Sequence, residues 1–257
     1  MSHAQAPKKR RWLGPVIVVA VLLLLIIVAF AIAEKLVRDG ASAALSEPIR
    51  QIFGTDTEVH VDFGQGSVIL QALSGSIDEV TVDADTVTLG PSTGRIHVVA
   101  NGVPLSTDGT VRALAAELYF DAAGVTSLVA SSSGTLATTQ LDGEHIVVTT
   151  ESPVAGQTVP VVVTLSPSAA DGRLGFSVEA LAVNGAAVDV DAARSGAYGA
   201  DVAALVQGQS VCVAEHLPAS LALDSATVVG DRLVLGFVGS NLALAGGGLT
   251  TKGACAT

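Results

Sequence analysis

The chain has 257 residues, a formal charge of −11 and few aromatics, with one Trp, two Tyr and six Phe. That is room for one large domain, and an acidic domain has no overall field to draw it to nucleic acid or to an anionic membrane. No histidine has a second at three to five residues, and there is no nucleophile elbow, phosphate loop or dinucleotide fingerprint. Zinc-type, hydrolase and nucleotide chemistry therefore have no sequence support, and neither a metal nor a cofactor is expected.

Lys8, Lys9, Arg10 and Arg11 precede an uncharged run from Trp12 to Ala33. As helix that run would span roughly 33 Å at about 1.5 Å per residue, enough for a bilayer's hydrocarbon core. The basic residues put 1–11 in the cytoplasm, Trp12 at the interface and everything from Glu34 onward outside the cell membrane. Two readings of 12–33 stand: an uncleaved single-pass anchor, or a signal segment with a small-x-small site at Ala31, Ile32 and Ala33. Both leave the main domain extracytoplasmic. With no acidic residue before Glu34, removing four positive charges from −11 leaves the exported part at −15.

From Glu34 to Phe53 apolar residues recur at three and four, predicting an amphipathic helix interrupted at Gly40 and Pro48, with Ser46 as a fresh N-cap. Val59, Val61 and Phe63 then alternate with His60 and Asp62, a half-buried strand. The Gly-rich turn at Gly64 and Gly66 and an apolar bridge follow. Val80, Val82 and Ala84 keep the period of two, but Val87 and Leu89 fall on the other parity. A bulge near Asp85 is required if the apolar set is to stay on one face, so the sheet bends there, with Val80 and Val82 inward and Asp83 wet.

Arg95 to Ala100 alternates again, and Thr107 or Asp108 reads as the cap of a helix carrying Val111, Leu114, Ala115 and Leu118. Asp142–Gly143, Asp171–Gly172 and Gly230–Asp231 each separate two strand-like runs, predicting three hairpins and a meander. Tyr198 to Gln207 has helical spacing. The main domain runs over 34–245, and 246–257 is a loose tail tied down by Cys255. In an oxidising compartment Cys212 and Cys255, the two cysteines, pair by default.

The order of a basic single-pass N-terminus, a helix, the run FGQGSVILQALSGSIDEVTVDA, and LPASLALDSATVVGDRLVLGFVGSNLAL before a terminal cysteine resembles the LmeA-type phospholipid-binding family of actinobacterial cell envelopes. The resemblance implies an α+β, tubular lipid-binding-like fold, in which a curved antiparallel β-sheet meander wraps one or two helices. It also implies a phospholipid or glycolipid ligand and a role in envelope lipid or lipoglycan (mannan) metabolism, without catalysis. Residues expected to line an apolar groove are Phe53, Phe63, Val68, Leu70, Leu73, Val80, Val82, Leu114, Leu118, Leu221 and Leu223. Arg95, Arg112, Arg173, Arg194 and Arg232 are exported arginines able to meet a phosphate head group. The alternative is a packed, non-catalytic structural module that binds an envelope protein.

Overall fold

The computed structural model describes residues 34–37, 39–40, 59–89, 92–106, 108–133, 137–154, 157–207, 209–244 and 251–255. The elements in order are β1 (Val59–Phe63), α1 (Val68–Ser74), β2 (Ser76–Leu89), β3 (Ser92–Pro104), β4 (Thr110–Phe120), α2 (Ala122–Ser133) and β5 (Ala137–Asp142). Then come β6 (His145–Val154), β7 (Gln157–Ala170), β8 (Arg173–Val183), β9 (Ala186–Val188), α3 (Val190–Arg194), α4 (Ala200–Val206), β10 (Gln209–Cys212), β11 (Leu221–Val229) and β12 (Arg232–Ala243). The strands form two six-stranded sheets, ordered β1-β2-β3-β4-β12-β11 and β10-β8-β7-β6-β5, with β9 alongside β8. The antiparallel, strand-dominated architecture matches expectation. Within each sheet consecutive strands pair as in a meander, β1 to β4 and β5 to β8, and after β10 the chain returns to the first sheet, where β12 pairs with β4. That pairing joins residues more than a hundred positions apart, and no local turn signal announces it.

The bulge is where the alternation places it. β2 and β3 shift register between Ala84 and Val87, after which Val87 is fully buried. Asp83 stays half-exposed and bonds His97 Nδ1 at 2.7 Å. All three hairpins form, β5–β6, β7–β8 and β11–β12. At Asp171 and Gly172 both turn residues have positive φ, 52° and 74°, the paired left-handed geometry that suits an Asp-Gly hairpin.

The helix expected from Thr107 or Asp108 to Leu118 is instead β4. Its apolar residues fit either period, and the deciding factor is that β4 is hydrogen-bonded on both sides, to β3 and to β12. The helix lies just beyond. Asp121 is its N-cap, its carboxylate accepting the Gly124 N–H at 2.7 Å. Gly124 lets α2 sit on the β3 backbone, because a Cβ there would lie 2.8 Å from the Thr93 carbonyl oxygen. The buried Ser92 hydroxyl donates to the Gly124 carbonyl at 2.8 Å and fixes that approach.

The apolar bridge after Gly66 is α1, capped by Ser67, whose Oγ accepts the Leu70 N–H, and by Gly75 in the left-handed conformation at φ 87°. The predicted helix over 198–207 is α4. Of the expected 34–53 helix, 34–37 and 39–40 are helical; Phe53 and the Ser46 cap lie outside the described residues, as do 1–33. Among the described residues no helix is long and apolar enough to cross a membrane.

The core has three parts. One is clamped between the sheets by Phe120, Val125, Ile146, Val148, Leu223, Ala226, Val228, Leu233 and Leu235. A second holds β1 and β2 with Val68 of α1. In the third, α3 and α4 cover β7 and β8 through Ala193, Val202 and Val206. Cys212 and Cys255 are disulfide-bonded, joining edge strand β10 to the C-terminal segment. The Gly253 N–H donating to Leu217 O at 3.1 Å and the Ala219 N–H to Thr251 O at 2.9 Å hold that segment as well.

Candidate functional site

Directly opposed residues of neighbouring strands face the same side of a sheet, so the registers can be read as rows across the first sheet. One row runs Phe63, Val80, Ala100, Leu114, Gly239, Leu221, through all six strands. At about 4.8 Å per strand it is about 24 Å long. The next runs Val61, Val82, Val98, Ala116, Phe237, Leu223, and the third Val59, Ala84, Ile96, Leu118, Leu235, Ala226. These rows form an uninterrupted apolar wall. The β11 bulge between Leu223 and Ser225 returns Ala226 and Val228 to it, as the β2 bulge does for Val87.

The wall is unevenly covered. Its β1–β2 end is sealed by the second core cluster, and its α2 end, with Phe120 and Leu233, by the first. Between them Val98, Ala100, Leu114, Gly239 and Leu221 are only partly buried, and the apolar side chains Val98, Ala100, Leu114 and Leu221 belong to no packed cluster. This strip is apolar and uncharged. It can hold a hydrocarbon chain and offers no group to cut one.

Seven expected lining residues lie on this face: Phe63, Val80, Val82, Leu114, Leu118, Leu221 and Leu223. Phe63, Val80 and Leu223 are buried in packed clusters, with Val82 and Leu118 against them. Leu114 and Leu221 border the open strip. Val68 is buried under α1, but Leu70 and Leu73 are 60% and 80% exposed, because the helix turns their face outward. The missed members are Val98, Ala100 and Gly239. Period-two alternation put Ala100 on the right face of β3, but its neighbours across the sheet were hidden until the β4–β12 pairing was known.

The arginines divide. Arg173 Nε donates to Ser210 Oγ at 3.2 Å, and Arg194 ties α3 to α4, bonding Asp191 of its own helix at 2.8 Å and the Val206 carbonyl at the end of α4 at 3.2 Å. Arg112 is exposed and packs beside Gly102. Only Arg95 and Arg232 meet, on the opposite face from the apolar wall, in a depression of about 400 Å³ lined also by Glu117, Tyr119, Val229 and Val234. The Arg95 guanidinium lies 4.7 Å above the Tyr119 ring, and its buried Nε has no hydrogen-bond partner. Tyr119 donates to Glu117, and that bond, then partial burial, raises the phenol pKa. An adjoining hollow of about 300 Å³ adds Asp85 and Asp121. Three carboxylates thus surround two guanidinium groups, so the depression is not a cationic trap for phosphate.

Fold and site define an all-antiparallel, two-sheet protein with an uncovered apolar strip and no convergent catalytic groups among the described residues. Residues 32–237 match the model of the LmeA-like phospholipid-binding family, and the chain belongs to that family. The family is a binding one and not a catalytic one. No curated protein and no solved structure shows a significant match.

Proposed function

We propose that this protein is a membrane-anchored, extracytoplasmic phospholipid-binding protein that lays acyl chains along the open strip of its first sheet. The observation that carries the reading is the row Ala100, Leu114, Gly239, Leu221, apolar on four neighbouring strands and only partly buried. Each methylene moved from water onto such a surface gains up to about 0.8 kcal/mol, so a chain of a dozen carbons binds without a strong head-group contact. Family membership supports the ligand class. The uncharged 12–33 run with basic residues before it supports the anchor and its orientation. Holding and presenting a lipid fits a supporting part in envelope lipid or lipoglycan metabolism.

Full-length protein extracted in mild detergent should carry co-purified phospholipid detectable by native mass spectrometry. Repeated lipid-free preparations that also take up no fluorescent phospholipid would refute the reading and leave the packed interaction module.

A further inference from the structure

We infer that the end of the first sheet bearing α1 and the β3–β4 loop docks on a lipid surface through a cluster of exposed leucines. The inference rests on the anchored, lipid-binding reading above and adds where the protein meets the bilayer. Leu70 and Leu73, three apart on one face of α1, are 60% and 80% exposed, and Leu105 beyond β3 is 55% exposed. These belong together in space, because the Leu105 N–H donates at 3.1 Å to the carbonyl of Gly75, the residue that ends α1. Leu244, 36% exposed at the end of β12, joins them through its N–H to Gly109 O at 3.0 Å. Three separate segments therefore bring leucines to one tip, a concentration seldom left in water without an occupant.

The occupant is identified by where the apolar N-terminal run ends. The Glu34 carboxylate, the first residue after that run, accepts from Ser67 Oγ at 2.6 Å, from the Ile69 N–H at 3.3 Å and from the Val68 N–H. The run of 12–33 thus ends at the N-terminus of α1, beside Leu70, with Leu36 a further 68% exposed apolar side chain there. An anchor leaving at this point holds the leucine tip against the membrane that it crosses, and a neutral apolar contact needs no help from the acidic domain's field. The open strip reaches the same end: Ala100 lies four residues before Pro104, about 13 Å along β3. Arg112, two residues from Leu114 on the same face and beside Gly102, stands between the strip and the tip.

The test uses the full-length protein in phosphatidylcholine–phosphatidylglycerol vesicles containing brominated lipid. The described cysteines are both disulfide-bonded, so an environment-sensitive fluorophore can be placed singly at Leu73→Cys, Leu105→Cys or Val211→Cys, the last 53% exposed on β10 of the second sheet. Trp12, the one tryptophan, reports the anchor independently. Docking requires loss of emission at positions 73 and 105 with emission kept at 211. Quenching of Trp12 without quenching at 73 and 105, or equal quenching at all three labels, overturns docking and leaves the anchor. Quenching at 73 and 105 without Trp12 keeps docking and overturns the anchor; quenching nowhere overturns both.

Discussion

The binding surface has a sharp test in two adjacent residues of β4. Leu114 faces the strip and its neighbour Ala115 faces the other side, paired with Val99 and Val238. Replacing Leu114 by Asn removes apolar area that a bound acyl chain would cover. A leucine side chain is worth about 1.5–3 kcal/mol on full burial, and Leu114 is already partly covered, so the remainder is on the order of 1 kcal/mol. The amide adds about 1–3 kcal/mol when a hydrocarbon chain lies over it and leaves it unpaired. Together these give about 2–4 kcal/mol, an affinity loss of about 30- to 700-fold at about 1.4 kcal/mol per tenfold. Ala115→Asn, exposed on the far face, should change affinity little. Titration with a fluorescent phospholipid measures both, with thermal melts confirming that each variant is folded. Equal losses in the two variants, or a larger loss at Ala115, would refute the assignment of the strip.

Three further outcomes follow from the fold. Cys212→Ser with Cys255→Ser opens a loop of sequence separation 43 and should lower stability by about 4 kcal/mol on the chain-entropy model, read as a drop in urea midpoint with a steeper slope, because the opened unfolded chain exposes more surface. Gly124→Ala should destabilise although alanine is the better helix former by about 1 kcal/mol, because the added Cβ meets the Thr93 carbonyl at 2.8 Å, and overpacking costs about 1–3 kcal/mol. In a Tyr198→Phe background the phenolate absorbance reports Tyr119 alone, and its midpoint should lie above the ordinary phenol value and fall when Glu117→Gln is added. Because that pKa is raised in the folded state, the stabilisation is complete below the unfolded phenol pKa and is lost as pH rises through the folded one. Ionisation of Tyr119 therefore weakens the pair in alkali.

Much of the fold was legible in local pattern. Alternation over Val59–Phe63 and Val80–Ala84 identified half-buried strands, and the parity change before Val87 required a bulge that β2 does contain. Asp-Gly and Gly-Asp pairs marked the three hairpins, because few residues tolerate the positive φ found at Asp171, Gly172 and Gly230. With two cysteines in the sequence, each has one possible partner, and the two are disulfide-bonded. The 110–120 run is ambiguous in sequence because leucine and alanine at positions 114, 115 and 118 satisfy a helical face and a strand face alike. The local signal for the true helix is Asp121, whose carboxylate caps it three residues before Gly124.

What local chemistry determined, then, is the identity of the strands, their inward residues and the turns between them. What only the tertiary structure decided is which strands are neighbours. Pairing β12 with β4 aligns Leu221 and Leu114 with Phe63 in a single row. It also brings Arg232 to Arg95 and separates both from the apolar face. Period two tells a residue which side of its own strand it occupies. Only hydrogen bonds between strands distant in sequence tell it what stands beside it, and that neighbourhood turns separate apolar residues into a surface able to take a lipid.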